Sequence, residues 1–181
     1  MVFNFFLAFL TGFSAKAADE LSETKSKLWP KLAFIAALAY GLLAGYLVSD
    51  SPEFSTLFLA VICAVLLSGK IDNRQHQLGV SAFILAVAFF GLPAIHPLLF
   101  AFLLVLGFLD EILNNVSDKL EASAKGPKSF ALKIFGLRIL MELGCIAVGL
   151  ATANWFYLIA IAMFDAGYII SGKLCSILAT Q

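Results

Sequence analysis

Asp165 stands in an otherwise apolar stretch, with Ile159 to Phe164 before it and Ile169 and Ile170 after it. A carboxylate stripped of water is costly unless hydrogen-bond donors, a cation or a metal replace the solvent. A second acidic group, Asp110-Glu111, directly follows the apolar run Phe102–Leu109. Asn114 and Asp118 continue from Asp110 in steps of four, which puts the three on one helix face. A third region, "SGKIDNRQH", carries Lys70, Asp72, Arg74 and His76. Asp72 and His76 are again four apart, as are Arg138 and Glu142 further on, the simplest ion pair a single helix can make.

Several carboxylates with an imidazole and an amide suit a hard divalent cation, because Mg²⁺, Mn²⁺ and Ca²⁺ prefer oxygen ligands. The metal ligands expected on this reading are Asp72, Asp110, Glu111, Asn114 and Asp165, and the expected cofactor is Mg²⁺. Magnesium is usually held by one or two carboxylates plus substrate phosphates. Lys70, Arg74 and Arg138 are therefore the candidates to neutralise a phosphate. Asp110, Asp165 and His76 are the candidate catalytic groups.

The composition says which solvent these groups meet. Of 181 residues, 61% are hydrophobic and only 13% charged, and the mean hydropathy is +0.96. A soluble domain is about 45–50% apolar and about 25% charged. The excess apolar surface has to face lipid, which predicts one all-α, polytopic membrane domain over residues 1–181. The net charge is zero, so nothing points to nucleic acid. Cys63, Cys145 and Cys175 lie in apolar runs at no ligand spacing and read as reduced packing residues.

A helix needs about 20 apolar residues to cross a bilayer, with a lower limit near 17. Six runs come close: Leu32–Val48, Ser55–Gly69, Leu78–Leu92, Pro97–Leu113, Ala131–Ala151 and Trp155–Gly172. Pro93 and Pro97 split what would otherwise be one long run, since proline removes a donor and disfavours helix before it. The seventh run, Met1–Ala18, resembles a signal peptide in its Ala15-Lys16-Ala17, but lacks a positive n-region. The charges favour a retained span, with a re-entrant or interfacial helix as the alternative. Lysine and arginine fall only in alternate connections, and the turns at 50–54, 92–97 and 152–154 contain none. The positive-inside rule then predicts seven helices, N-terminus outside and C-terminus cytoplasmic, in the plasma membrane of a prokaryote.

With that topology the acids of the odd-numbered spans all fall toward the cytoplasmic side, and glycines beside them (Gly69, Gly107, Gly136 and Gly167) allow close helix approach. The expected function is a metal-dependent membrane enzyme acting on a lipid phosphate or prenyl diphosphate at a cytoplasmic acidic site. Its partners would be membrane lipid and that small-molecule substrate. The alternative is a cation- or proton-coupled transporter or channel using the same buried acids. "NNVSD" (Asn114 to Asp118), four residues after Asp110, resembles the aspartate-rich N-D-x-x-D motif of the membrane-embedded aromatic prenyltransferases, which implies the same diphosphate chemistry. Asn115 stands where that motif has its first aspartate, and the match covers about nine residues.

Overall fold

The computed structural model describes residues 1–23, 29–69, 73–121 and 139–179. Lys70, Asp72 and Arg138 lie outside these residues, and so does the expected Arg138–Glu142 pair. Among the described residues the chain is all helical: α1 (Val2–Glu23), α2 (Trp29–Asp50), α3 (Pro52–Leu67), α4 (Arg74–Phe90), α5 (Pro97–Glu121), α6 (Ile139–Thr152) and α7 (Phe156–Ala179). Three helices contain stretches long and apolar enough to cross a membrane: Lys31–Asp50, Pro97–Ser117 and Phe156–Leu178. α3 and α6 are apolar but shorter.

Local chemistry explains the breaks. Between α2 and α3 the turn is one residue: Ser51 is extended, its hydroxyl accepts from the Phe54 N–H, and Pro52 fills the first helical position. That is where a missing N–H does no harm. Asn73 starts α4 in the same way, accepting from the His76 N–H at 2.8 Å. Gly91 ends α4 at φ 91°, a conformation side chains resist. The turn that follows is tied back to α3 by the His96 N–H, which donates to Thr56 Oγ1 at 3.0 Å.

Successive helices run antiparallel. The beginning of α1 meets the end of α2, where Asn4 Nδ2 donates to Asp50 Oδ2 at 2.7 Å. Phe5, Phe54 and Phe156, from the starts of α1, α3 and α7, pack their rings together at this same end. We call it the upper end. Below it Phe58, Leu57, Leu103, Cys145, Ala160 and Ile161 form the core.

Two interfaces dispense with side chains. Among the described residues, α1 packs along α7 more extensively than any other pair of helices. A Cβ at Gly167 would collide with the carbonyl of Phe9, and one at Gly12 with the carbonyl of Phe164. Between α2 and α4 a Cβ at Gly41 would collide with the carbonyl of Gly79, and one at Gly79 with the Tyr40 ring. Small residues at crossings are how helices gain van der Waals contact where water gives no drive to associate. The exterior is apolar: Ile35, Leu85, Phe89, Leu98, Leu150 and Ile177 are each more than half exposed.

Candidate functional site

α5, α6 and α7 bring four carboxylates to one cavity of about 40 Å³ below the core. Asp110 and Glu111 come from α5, Glu142 from the first turn of α6 and Asp165 from α7. Gly107 and Ala64 leave the room, since larger side chains there would fill it. Asp110 and Glu111 are almost fully buried, at 3% and 4% exposure, whereas Glu142 and Asp165 are half-buried. Asp165 is nine residues into α7 and Glu142 ten residues before the end of α6. At 1.5 Å per residue both lie about 14–15 Å below the upper end.

Asp110 has a defined local task. Its Oδ1 accepts from the Leu140 N–H at 3.0 Å and its Oδ2 from the Met141 N–H at 2.8 Å. Both are amides of the first described turn of α6, where backbone donors commonly need partners from outside the helix. A carboxylate there also faces the positive end of the helix dipole. The acid is thus a cap supplied by a neighbouring helix, and it fixes the start of α6 against α5.

The remaining candidates fall elsewhere. Asn114 lies one turn along α5 from Asp110, off the cavity wall. Arg74 is exposed at the first turn of α4. His76 is on the same turn of α4, which packs on α2 and α1. There it belongs to a second polar cluster. Its Nε2 is 3.7 Å from Asp19 Oδ1 of α1, and its Nδ1 is 3.3 Å from the Tyr40 hydroxyl of α2. Lys16 completes the cluster, with Nζ 3.4 Å from Asp19 Oδ2, 2.8 Å from Glu20 Oε1 and 5.3 Å above the Tyr168 ring of α7. The His76 imidazole beside it holds the Asp19 carboxyl below the usual carboxylate range, and Lys16 adds to the effect.

Sequence spacing thus pointed to Asp110, Glu111 and Asp165 together, and missed Glu142 as a cavity wall. A signal for it was present. Glu142 and Asp165 are nearly equidistant from the 152–154 turn, so antiparallel helices must bring them to one depth. Lys16, Asp19 and Tyr40 were not legible as partners of His76, because helix pairing and not spacing unites them. Among the described residues, no three His, Cys, Asp or Glu side chains converge closely enough to hold a metal ion. What the cavity offers chemically is a small space walled by carboxylate oxygens. Comparison with protein-family models, curated proteins and solved structures returns no match.

Proposed function

We propose that the chain is a multi-pass integral membrane protein, N-terminus outside and C-terminus cytoplasmic, that takes up a small cation or proton at the acid cavity as a step in cation-coupled transport. The observation that carries this reading is the convergence of Asp110, Glu111, Glu142 and Asp165, from three helices, on one cavity of about 40 Å³. Ionisable side chains at this depth in a lipid-facing bundle mark ion and proton paths. A water needs roughly 10–15 Å³ of such space, so the cavity suits a proton carrier or a partly hydrated ion. A lipid phosphate needs more room and a counter-charge, and no described lysine or arginine lines the cavity. This moves the balance from a phosphate-handling enzyme toward transport. The upper half adds to it: Asn4 and Asp50 pair there, and Thr11, Ser55 and Thr56 are buried within α1 and α3. The lipid-facing character rests on the apolar exterior and on the three helices of spanning length.

The test is Asp165→Asn in liposomes loaded with a proton- or cation-sensitive dye. The amide costs no more to bury than the carboxylate, so the variant should fold and lose flux of H⁺, Na⁺, Mg²⁺ or Ca²⁺, whichever the wild type carries. Wild-type protein that carries none of these ions would refute transport. If it instead releases phosphate or diphosphate from a prenyl diphosphate when Mg²⁺ is supplied, the acids belong to an enzyme.

A further inference from the structure

We propose that the cleft between the start of α5, the end of α6 and the start of α7 binds one zwitterionic glycerophospholipid. The site rests on the membrane reading of the chain and not on the transport reading.

The cleft lies at the upper end and encloses about 560 Å³, within the range of about 300–1,000 Å³ usual for ligand sites. Leu98 and Val148 are on its apolar wall, and His96, Thr152, Asn154 and Tyr157 are on its polar wall. The polar groups are unevenly committed. Thr152 Oγ1 donates to the Val148 carbonyl at 2.7 Å and accepts from the Asn154 N–H at 3.3 Å. Asn154 Oδ1 accepts from the Phe156 N–H at 3.1 Å, which orients the amide and leaves its NH₂ to spare. Tyr157 is 3% exposed, yet its hydroxyl has no hydrogen-bond partner among the described residues. A phenol is costly to bury unpaired. This one is not sealed into the core, and it opens on the cleft. His96 keeps at least one ring N–H in either charge state. The uncommitted groups are therefore donors, from Tyr157, Asn154 and His96, and donors call for ligand oxygens.

Charge narrows the ligand further. The upper turns at 50–54, 92–97 and 152–154 hold Asp50 and Glu53 and no lysine or arginine. Asp50 is bonded to Asn4. Glu53 is half-buried and has no hydrogen-bond or ion-pair partner among the described residues. It stands three residues before Thr56 on α3, on the same helix face, and Thr56 accepts from the His96 N–H at 3.0 Å. The acid therefore borders the cleft at His96. An anionic ligand meets repulsion there, with no lysine or arginine in these turns to offset it. A zwitterionic phospholipid brings an ammonium for Glu53, and ester or phosphate oxygens for the three donors. Its acyl chains continue over the apolar exterior, where Leu98 and Leu150 are 87% and 73% exposed.

The experiment is native mass spectrometry of delipidated protein released from detergent micelles. The protein is titrated with palmitoyl-oleoyl phosphatidylethanolamine or with the anionic phosphatidylglycerol of the same chains. Wild type should retain one ethanolamine lipid in preference to the glycerol lipid. Tyr157→Phe removes a hydroxyl that supports no contact within the fold, so it should melt as wild type does. It should retain about fivefold less ethanolamine lipid, the scale of one net hydrogen bond. Glu53→Gln should abolish the preference between the two lipids. Equal retention of both lipids by wild type, or unchanged retention by Tyr157→Phe, would overturn the proposal. If Tyr157→Phe does not fold, Glu53→Gln decides, and an unchanged preference overturns the site. Protein that stays dispersed without detergent would refute the membrane reading and the lipid site with it, whereas the other failures leave the membrane reading standing.

Discussion

The carboxylate of Asp110 and the backbone N–H of Met141 are 2.8 Å apart, and through this contact α5 supplies a cap to α6. The Leu140 N–H uses the other oxygen of the same side chain. Asp110→Ala should therefore destabilise the protein even if no ion ever enters the cavity. Lost caps cost about 0.5–2 kcal/mol, and the charge at the helix terminus adds up to about 2 kcal/mol when partly buried. We expect about 2–3 kcal/mol for alanine and about half that for asparagine, whose carbonyl still accepts one bond. Unfolding in mixed detergent micelles measures both. Equal stability of all three proteins would remove the cap from the account.

A side chain at the α1–α7 crossing should be far more damaging than one a short way along it. At Gly167 the obstacle is backbone, the Phe9 carbonyl and the Phe13 nitrogen, which cannot rotate away. At Gly172 the nearest atom is Lys16 Cε, at 3.3 Å on a flexible chain. Gly167→Ala should cost about 3 kcal/mol, the upper range of overpacking, and Gly172→Ala well under 1 kcal/mol on the same scale. Unfolding midpoints of the two variants compare them directly.

Acid should loosen the lower end through Asp19. Its carboxyl titrates below the ordinary value of 3.8 in the folded protein. In the window between the two values the unfolded chain holds more protons, so stability rises with pH there. The contribution is therefore complete above pH 3.8 and is lost as the pH falls toward the folded value. Asp19→Asn should flatten the dependence of unfolding free energy on pH between about 2 and 5. An unchanged slope would mean that Asp19 is not the group responsible.

The orientation is open to chemical labelling. With Cys63, Cys145 and Cys175 replaced by alanine, cysteines at Glu53 and Ala94 should react with an impermeant maleimide from outside the cell. A cysteine at Ser176 should react only after the membrane is opened. Labelling of position 176 from outside would invert the topology and move the acid cavity's entrance to the other face.

The seven described helices fall on the seven apolar runs because the breaks are written in residues with fixed backbone preferences. Pro52, Pro93 and Pro97 cannot continue a ladder, and Ser51 and Asn73 supply caps where one is needed. Depth was legible as well, since rise per residue converts position into height: Asp110, Glu111 and Asp165 share a level for that reason. Rotation about each helix axis was not. Spacing of four placed Glu142 with Arg138, which lies outside the described residues, and did not show that Glu142 shares a cavity wall with Asp165. The same spacing put His76 with Asp72, whereas its described partners are Asp19 and Tyr40. Which faces meet is decided by where backbones approach closest, at Gly12 against Phe164, Gly167 against Phe9 and Gly41 against Gly79, and that depends on pairs of helices far apart in the chain.

The tight seam between α1 and α7 also has a consequence for biogenesis. α1 leaves the ribosome well before α7, with five described helices between them in the chain. Until then the exposed backbone at Gly12 and the charge of Lys16 have no neighbour on that side, although Lys16 ends above Tyr168. In that interval α1 is held chiefly by its extensive contact with α2, and the seam closes only when α7 arrives. A nascent chain truncated before Phe156 should accordingly leave α1 accessible to protease or quality control, and release of α7 should be the event that commits the protein to its final form.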